Sequence, residues 1–180
     1  MRILGVDPGS NHTGYGIVEA GRGQERLVVC GIIHLDPKDE HPARLLRINE
    51  ELGALIEAHA PDEVAVEMPI FGRDPQALLK LGRAQAAAML AALQRGLPVT
   101  QYTPAEVKKA VTGNGNATKE TVYRMVEAMM TLEGRVGYDA TDALAVALCH
   151  AGHRRHGASG AGRHAGWAAF IKANPGRVKE

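Results

Sequence analysis

Two carboxylates in this chain end apolar runs, and two more share the start of a helix. The apolar run "ILGVD" stops on Asp7, a second run, "EVAVE", stops on Glu67, and Asp139 and Asp142 lie three apart at the head of "DATDALAVALCH". Residues three apart on a helix share a face, and parallel neighbouring strands would bring Asp7 and Glu67 to one end of a sheet. Two unit charges about 5 Å apart repel by roughly 3 kcal/mol at an effective dielectric of 20, so four carboxylates at one place call for a cation. All-oxygen ligands favour hard Mg²⁺ or Mn²⁺ over Zn²⁺. Such a cluster suits metal-assisted attack on a phosphodiester, one ion activating water and another stabilising the leaving oxygen. Each acid alone has a plainer reading: Asp7 as turn chemistry before Pro8, Glu67 as a strand meeting water, Asp139 and Asp142 as cap and dipole-complementing acids. Their coincidence sets the expectation.

The lysines add to it. Lys119 falls in the first turn of a helix expected over "ATKETVYRMVEAMM", where the helix dipole disfavours a cation, with Asn116 as the expected N-cap. The preceding "GNGN" is expected to leave backbone N–H groups free for a phosphate. With Lys108 and Lys109 on the short helix before it, Lys119 could line a track for a nucleic-acid backbone; the alternative is a solvated face. Residues 1–71 hold 6 basic against 12 acidic residues and residues 72–180 hold 15 against 8, so the net charge of +1 hides a basic second half suited to a polyanion. The cluster of Cys149, His150, His153, His156 and His164 lacks a clear fourth metal ligand and reads as a basic, polar helix end.

The elements that would position these groups follow from periodicity. "RILGVD", "GYGIVEA" and "RLVVCGIIHL" are short, β-branched and separated by glycine turns, which predicts three antiparallel strands. A helical spacing of apolar residues from Pro42 to "HAPDE" leads to a fourth strand, "EVAVEMP". Residues 75–95 predict an Ala-rich helix closed by Gly96 and Pro98, "LPVTQY" a fifth strand, and "TPAEVKKAV" a helix capped by Thr103 with Pro104 at its first position. The order β-β-β-α-β-α-β-α-α-α predicts an α/β fold: a five-stranded mixed sheet, three antiparallel strands then parallel ones, with helices on both faces.

The 180 residues fit one compact domain, expected over 1–156, followed by a basic tail, 157–180, expected to be loosely held apart from local docking of Trp167, Phe170 and Ile171. No apolar run is long enough to span a membrane and the N-terminus lacks a signal-peptide pattern, so a cytoplasmic place is expected. Two distant cysteines suggest reduced thiols.

Four stretches, "ILGVDPGSNHTGYGIVE", "VAVEMPIFGRDPQALLKLGRAQ", "VKKAVTGNGNATKE" and "YDATDALAVALCH", closely resemble, in order, those of the RuvC family of Holliday-junction resolvases, from residue 3 to about 150. The resemblance implies an RNase H-like fold, a homodimer, and a Mg²⁺-dependent endonuclease placing symmetric nicks in four-way junction DNA during recombination and repair. It implies catalytic and metal-binding roles for Asp7, Glu67, Asp139 and Asp142, functional lysines at Lys108 and Lys119, and the branch-migration proteins RuvA and RuvB as partners. The Ala-rich helix then gains a plausible role at a two-fold interface, burial against the sheet being the alternative. The family's aromatic three residues past the strand-end glutamate is here Ile70, followed by Phe71, which could stack on a junction base or make an apolar core contact. The first phosphate loop of actin-like and sugar-kinase ATPases also looks like "VDPGSNHTGYG", but those proteins normally need two such domains.

Overall fold

The structure is a computed structural model and describes residues 1–21, 25–70, 74–130, 132 and 136–159. Five strands, β1 (Arg2–Asp7), β2 (His12–Ala20), β3 (Glu25–His34), β4 (Glu63–Glu67) and β5 (Val99–Tyr102), form one sheet in the order β3-β2-β1-β4-β5. β1 pairs antiparallel with β2, and β2 with β3, while β4 runs parallel to both β1 and β5. This is the five-stranded mixed sheet expected from the sequence. Helices α1 (His41–His59) and α2 (Pro75–Leu93) cover one face. Helices α3 (Pro104–Thr112), α4 (Lys119–Met129) and α5 (Tyr138–Ser159) cover the other.

Strand alternation divides the core in two and aims the acids. Leu4, Val6, Val64 and Val66 point toward α1 and α2, whereas Ile3 and Ala65 point toward α5. By the same parity Asp7 and Glu67 fall on the α5 side. Val6 pairs with Val66, so the two acids are level at the C-terminal ends of adjacent parallel strands.

Helix α5 is buried along most of its length, from Ala140 to Ala151, as a helix apolar all round must be. It lies so close to β1 and β2 that three strand positions have no room for a side chain. A Cβ on Gly5 would stand 2.7 Å from Ala147 N and collide with the carbonyl of Ala143, one on Gly14 would collide with the carbonyl of Asp139, and one on Gly16 would stand 2.6 Å from Leu144 Cδ2.

Local signals held with small shifts. Thr103 and Glu106 form the reciprocal capping box that starts α3, with Pro104 at its head, and Gly113, at φ 78°, ends it. α4 is capped not by Asn116 but by Thr118, whose hydroxyl accepts from the Thr121 N–H at 3.2 Å. α5 continues through Ser159, and residues 160–180 lie outside the described residues, as do Phe71 and the tail's Trp167, Phe170 and Ile171. Cys30 and Cys149 are free. Among the described residues no helix is long and apolar enough to cross a membrane.

Gly14→Ala should lower unfolding free energy by about 1–3 kcal/mol or more, because the displaced group is backbone. Gly152→Ala, on the same helix α5 with nothing within 4 Å of its built Cβ, should be neutral or stabilise by about 0.5–1 kcal/mol. Urea melts of the pair test this; equal stability of Gly14→Ala and the parent would contradict the seating of α5.

Candidate active site

The two strand-end acids and the first turn of α5 converge. Carboxylate oxygens of Asp7, Asp139 and Asp142 all lie within 4.8 Å of one another. Glu67 stands outside that trio but hydrogen-bonds Asp7. The four acids expected together from the sequence therefore meet as a triad plus one carboxyl on its flank. They line a cavity of about 510 Å³ that also includes Lys108, Lys119 and Ile70.

Burial, first of all, pushes the Asp7 carboxyl up to about 6, with Asp142 adding repulsion. Burial likewise raises Glu67 to about 8, reinforced by the negative charge of Asp7. The higher member of such a pair carries the proton, so Glu67 donates to Asp7. Lys119 is the cation that the cluster holds on its own account: its ammonium donates to Asp142 Oδ2 at 3.0 Å. That hydrogen bond is the leading cause of the rise in its pKa. The awkward position of Lys119 at the head of α4 is thus explained by Asp142 rather than by a free phosphate cradle. The loop before it is closed on itself: Thr112 Oγ1 accepts from Asn114 N, Asn114 Oδ1 from Asn116 N, and the Asn114 carbonyl from Ala117 N. Of the amides expected to be free in "GNGN", those of Gly113, Asn114 and Asn116 are taken.

Other expected residues distribute unevenly. Lys108 lines the cavity and is partly buried, whereas Lys109, exposed on the same helix, does not line it. Ile70 is 64% exposed at the rim. Phe71 lies outside the described residues. Sequence reasoning passed over the groups that hold the turn after Asp7. The buried Thr13 hydroxyl donates to the Gly9 carbonyl at 3.3 Å, and Arg44 on α1 reaches the Ser10 carbonyl at 2.9 Å. His150, read as part of a basic helix end, is in fact buried and hydrogen-bonded to Glu63 and Tyr102. Its partners come from β4 and β5, which no local pattern reveals.

Residues 3–150 match the family model described as crossover junction endodeoxyribonuclease RuvC. The chain belongs to the RuvC family. A crossover junction endodeoxyribonuclease RuvC of Salinibacter ruber is 55% identical over 181 residues, covering 100% of both chains. The Thermus thermophilus RuvC structure superposes with a TM-score of 0.79 at 36% identity, covering 87% of this chain and 97% of that one. The T. thermophilus RuvC in complex with Holliday junction substrate gives a TM-score of 0.82 at 34% identity, covering 87% and 96%. The fold is accordingly RNase H-like.

Donor chemistry and spacing fit a hard divalent cation: three carboxylate oxygens close enough to share an ion, with one ammonium to offset several negative charges. Ion binding at these oxygens competes with the proton held between Asp7 and Glu67. Both folded-state values, about 6 and about 8, lie above the ordinary 3.8 and 4.5. The stability due to the protonated pair is therefore complete below the ordinary values and lost as pH rises through 6 and then 8. The rise in Tm on adding Mg²⁺ should be larger at pH 8 than at pH 6, and Asp7→Asn should flatten the difference. Thermal melts with and without the ion measure it; a pH-independent shift in the parent would separate ion binding from this proton.

Proposed function

We propose that the chain is a Holliday-junction resolvase, an endonuclease that makes paired symmetric nicks in four-way DNA junctions during recombination and repair. The observation that carries this reading is the convergence of Asp7, Asp139 and Asp142, with Glu67 against Asp7, in a chain of the RuvC family. The likeness to a T. thermophilus RuvC bound to a Holliday junction substrate supports the substrate.

In this reading Asp7, Asp139 and Asp142 hold the metal and Glu67 completes the set once its proton is released. Mg²⁺ is the proposed cofactor, two ions per site, with Mn²⁺ able to replace it. When bound, the metal supplies Lewis-acid polarisation of the phosphodiester and a water of lowered pKa. The chain's own groups do the rest. Lys119 gives Asp142 a fixed orientation and carries positive charge to the cavity wall, where a scissile phosphate arrives. Lys108, which also lines the cavity, holds the adjoining DNA backbone, with Lys109 extending the basic surface. Ile70 at the rim, with Phe71 next to it, offers an apolar surface to an unpaired junction base.

Paired nicks need two sites. We assign the homodimer contact to the outer side of α2, where Leu79, Leu90 and Leu93 are about half exposed and a groove runs past Pro69, Pro75, Leu78 and Ala86. The inner side of the same helix, Ala84, Ala88, Ala91 and Ala92, is buried against the sheet and α1, so both uses weighed for this helix have a face to serve them. RuvA and RuvB are the proposed partners and the cytoplasm the proposed place of action.

A mobile four-way junction incubated with the chain in Mg²⁺ or Mn²⁺, with both nicks mapped, tests the class; nicks at unpaired positions, or none, would remove it. Asp7→Asn should bring cleavage to background with junction affinity retained, whereas Lys108→Ala should weaken binding and reduce the slope of log K against log salt by about 1. Equilibrium sedimentation giving the mass of one 19.2 kDa chain at micromolar concentration would count against the dimer.

A further inference from the structure

Where α5 comes closest to the sheet, the contact is between small residues and backbone. Ala143 and Ala147 lie over Gly5, and the backbone at Asp139 and Ala140 lies over Gly14. Interdigitating ridges and grooves fix how packed elements sit, and small residues make shallow ridges. Leu144 over Gly16 is a larger knob, and Ile3, Val18 and Leu148 share the same core, held by non-directional packing. A slide of α5 would carry Asp139 and Asp142 away from Asp7 and Glu67, and a site of this kind needs its ligands held within about 0.5 Å.

Directional bonds further along the helix oppose such a slide. His150 lies eight residues beyond Asp142, about 12 Å along the axis. Its side chain is 3% exposed, and both ring nitrogens are engaged. Nε2 is 2.6 Å from Glu63 Oε2 and Nδ1 is 2.9 Å from the Tyr102 hydroxyl. The carboxylate can only accept, so Nε2–H donates to it, while Nδ1 and the Tyr102 hydroxyl share the other hydrogen bond. Arg154 holds the other oxygen of Glu63 at 2.9 Å, and the His153 ring stacks on Tyr102 at a centroid distance of 5.1 Å. The strand ends involved are those that matter: Glu63 begins the strand that ends on Glu67, and the Tyr102 carbonyl accepts from the N–H of Met68, the residue after Glu67, at 2.8 Å.

We propose that His150, held between Glu63 and Tyr102, is a positioning residue that fixes the axial register of α5 on the sheet and so the spacing of Asp139 and Asp142 from Asp7 and Glu67. One imidazole ties the helix that carries two of the acids to β4, which ends on Glu67, and to β5, which pairs with it. Hydrogen bonds weaken steeply away from their line, so this contact adds a directional restraint to the packing of α5 on the sheet. Its cleavage readout rests on the nuclease reading above; its ion-binding readout does not.

The test uses the full chain and four variants, His150→Ala, Tyr102→Phe, Glu63→Gln and Glu63→Ala, each assayed well below its own melting midpoint. Mn²⁺ affinity is read by titration calorimetry, and kcat and KM are read on a four-way junction in Mg²⁺. His150→Ala should lower Mn²⁺ affinity and kcat by roughly 10–100-fold, as loss of a group that orients metal ligands does, with KM little changed. Tyr102→Phe, which deletes one hydroxyl and keeps the ring, should shift both in the same direction by less. Glu63→Gln should retain more of both than Glu63→Ala, because the amide carbonyl still accepts from Nε2–H. Lower Tm with parental Mn²⁺ affinity and kcat in all four would make the network a stabiliser only and overturn the proposal. A parent that binds Mn²⁺ without cutting junctions would defeat the nuclease reading while the affinities still decide the register role; a parent that binds no Mn²⁺ would overturn both.

Discussion

The structure depends on how closely α5 can approach the sheet. Gly5, Gly14 and Gly16 remove the side chains that would hold the helix off, so its backbone rests on β1 and β2. An ordinary helix–sheet contact keeps a layer of side chains between the two backbones. Here the first turn of α5 instead reaches the end of β1, and the short side chains of Asp139 and Asp142 meet the strand-end carboxylate of Asp7 within 4.8 Å. Longer glutamates could span a wider gap, but with more rotors to fix and less precision. The glycines in "ILGVDPGSNHTGYGIVE" that look like turn residues therefore serve the site by their absence of bulk.

Close approach has an electrostatic consequence. Partly buried carboxylates repel and lose water together, and the chain answers with a proton between Asp7 and Glu67 and an ammonium on Asp142. Neither removes the whole charge. A fold that tolerates this stands ready for a cation, since binding the ion replaces both repulsion and desolvation with coordination. Lys119 makes sense in the same terms: at the head of α4 the dipole works against it, and the Asp142 carboxylate outweighs that effect at 3.0 Å. The residue is a counter-charge first, and its 68% exposed side chain leaves it reachable by a phosphate.

Much of this was legible in the sequence. Apolar runs ending on Asp7 and Glu67 marked strands with acids at their ends, and the order of strands and helices sufficed for the mixed sheet. The Thr103–Pro104–Glu106 start of α3 is local chemistry and was visible as such. What escaped reading was set by distant partners. Asn116 and Thr118 are both competent caps, and only the closing of Thr112, Asn114 and Ala117 on one another decides for Thr118. His150 sits in a histidine-rich stretch and looks like a solvated helix end, yet Glu63 and Tyr102, 87 and 48 residues away, bury it. Glu67 was counted as one ligand among four; its place beside Asp7, outside the close trio, follows from side-chain length and burial that composition does not encode.

The placement of the groups divides the work physically. Asp7, Asp139 and Asp142 sit on elements seated by close backbone contact, which suits the metal-holding role proposed for them. Ile70, Lys108 and Lys119 sit on a loop, a short helix and a helix start around the rim, with side chains that can follow a substrate. A four-way junction is a deformable, highly charged ligand, and binding it favours adjustable cations and apolar tips over a rigid mould. Chemistry on its phosphodiester has the opposite need. The boundary between the two sets runs through the Lys119–Asp142 bond, where a flexible cation touches a fixed carboxylate. The lysine side chain is 68% exposed and the aspartate side chain 17%, so the reachable part of the site and the held part meet across one 3.0 Å hydrogen bond.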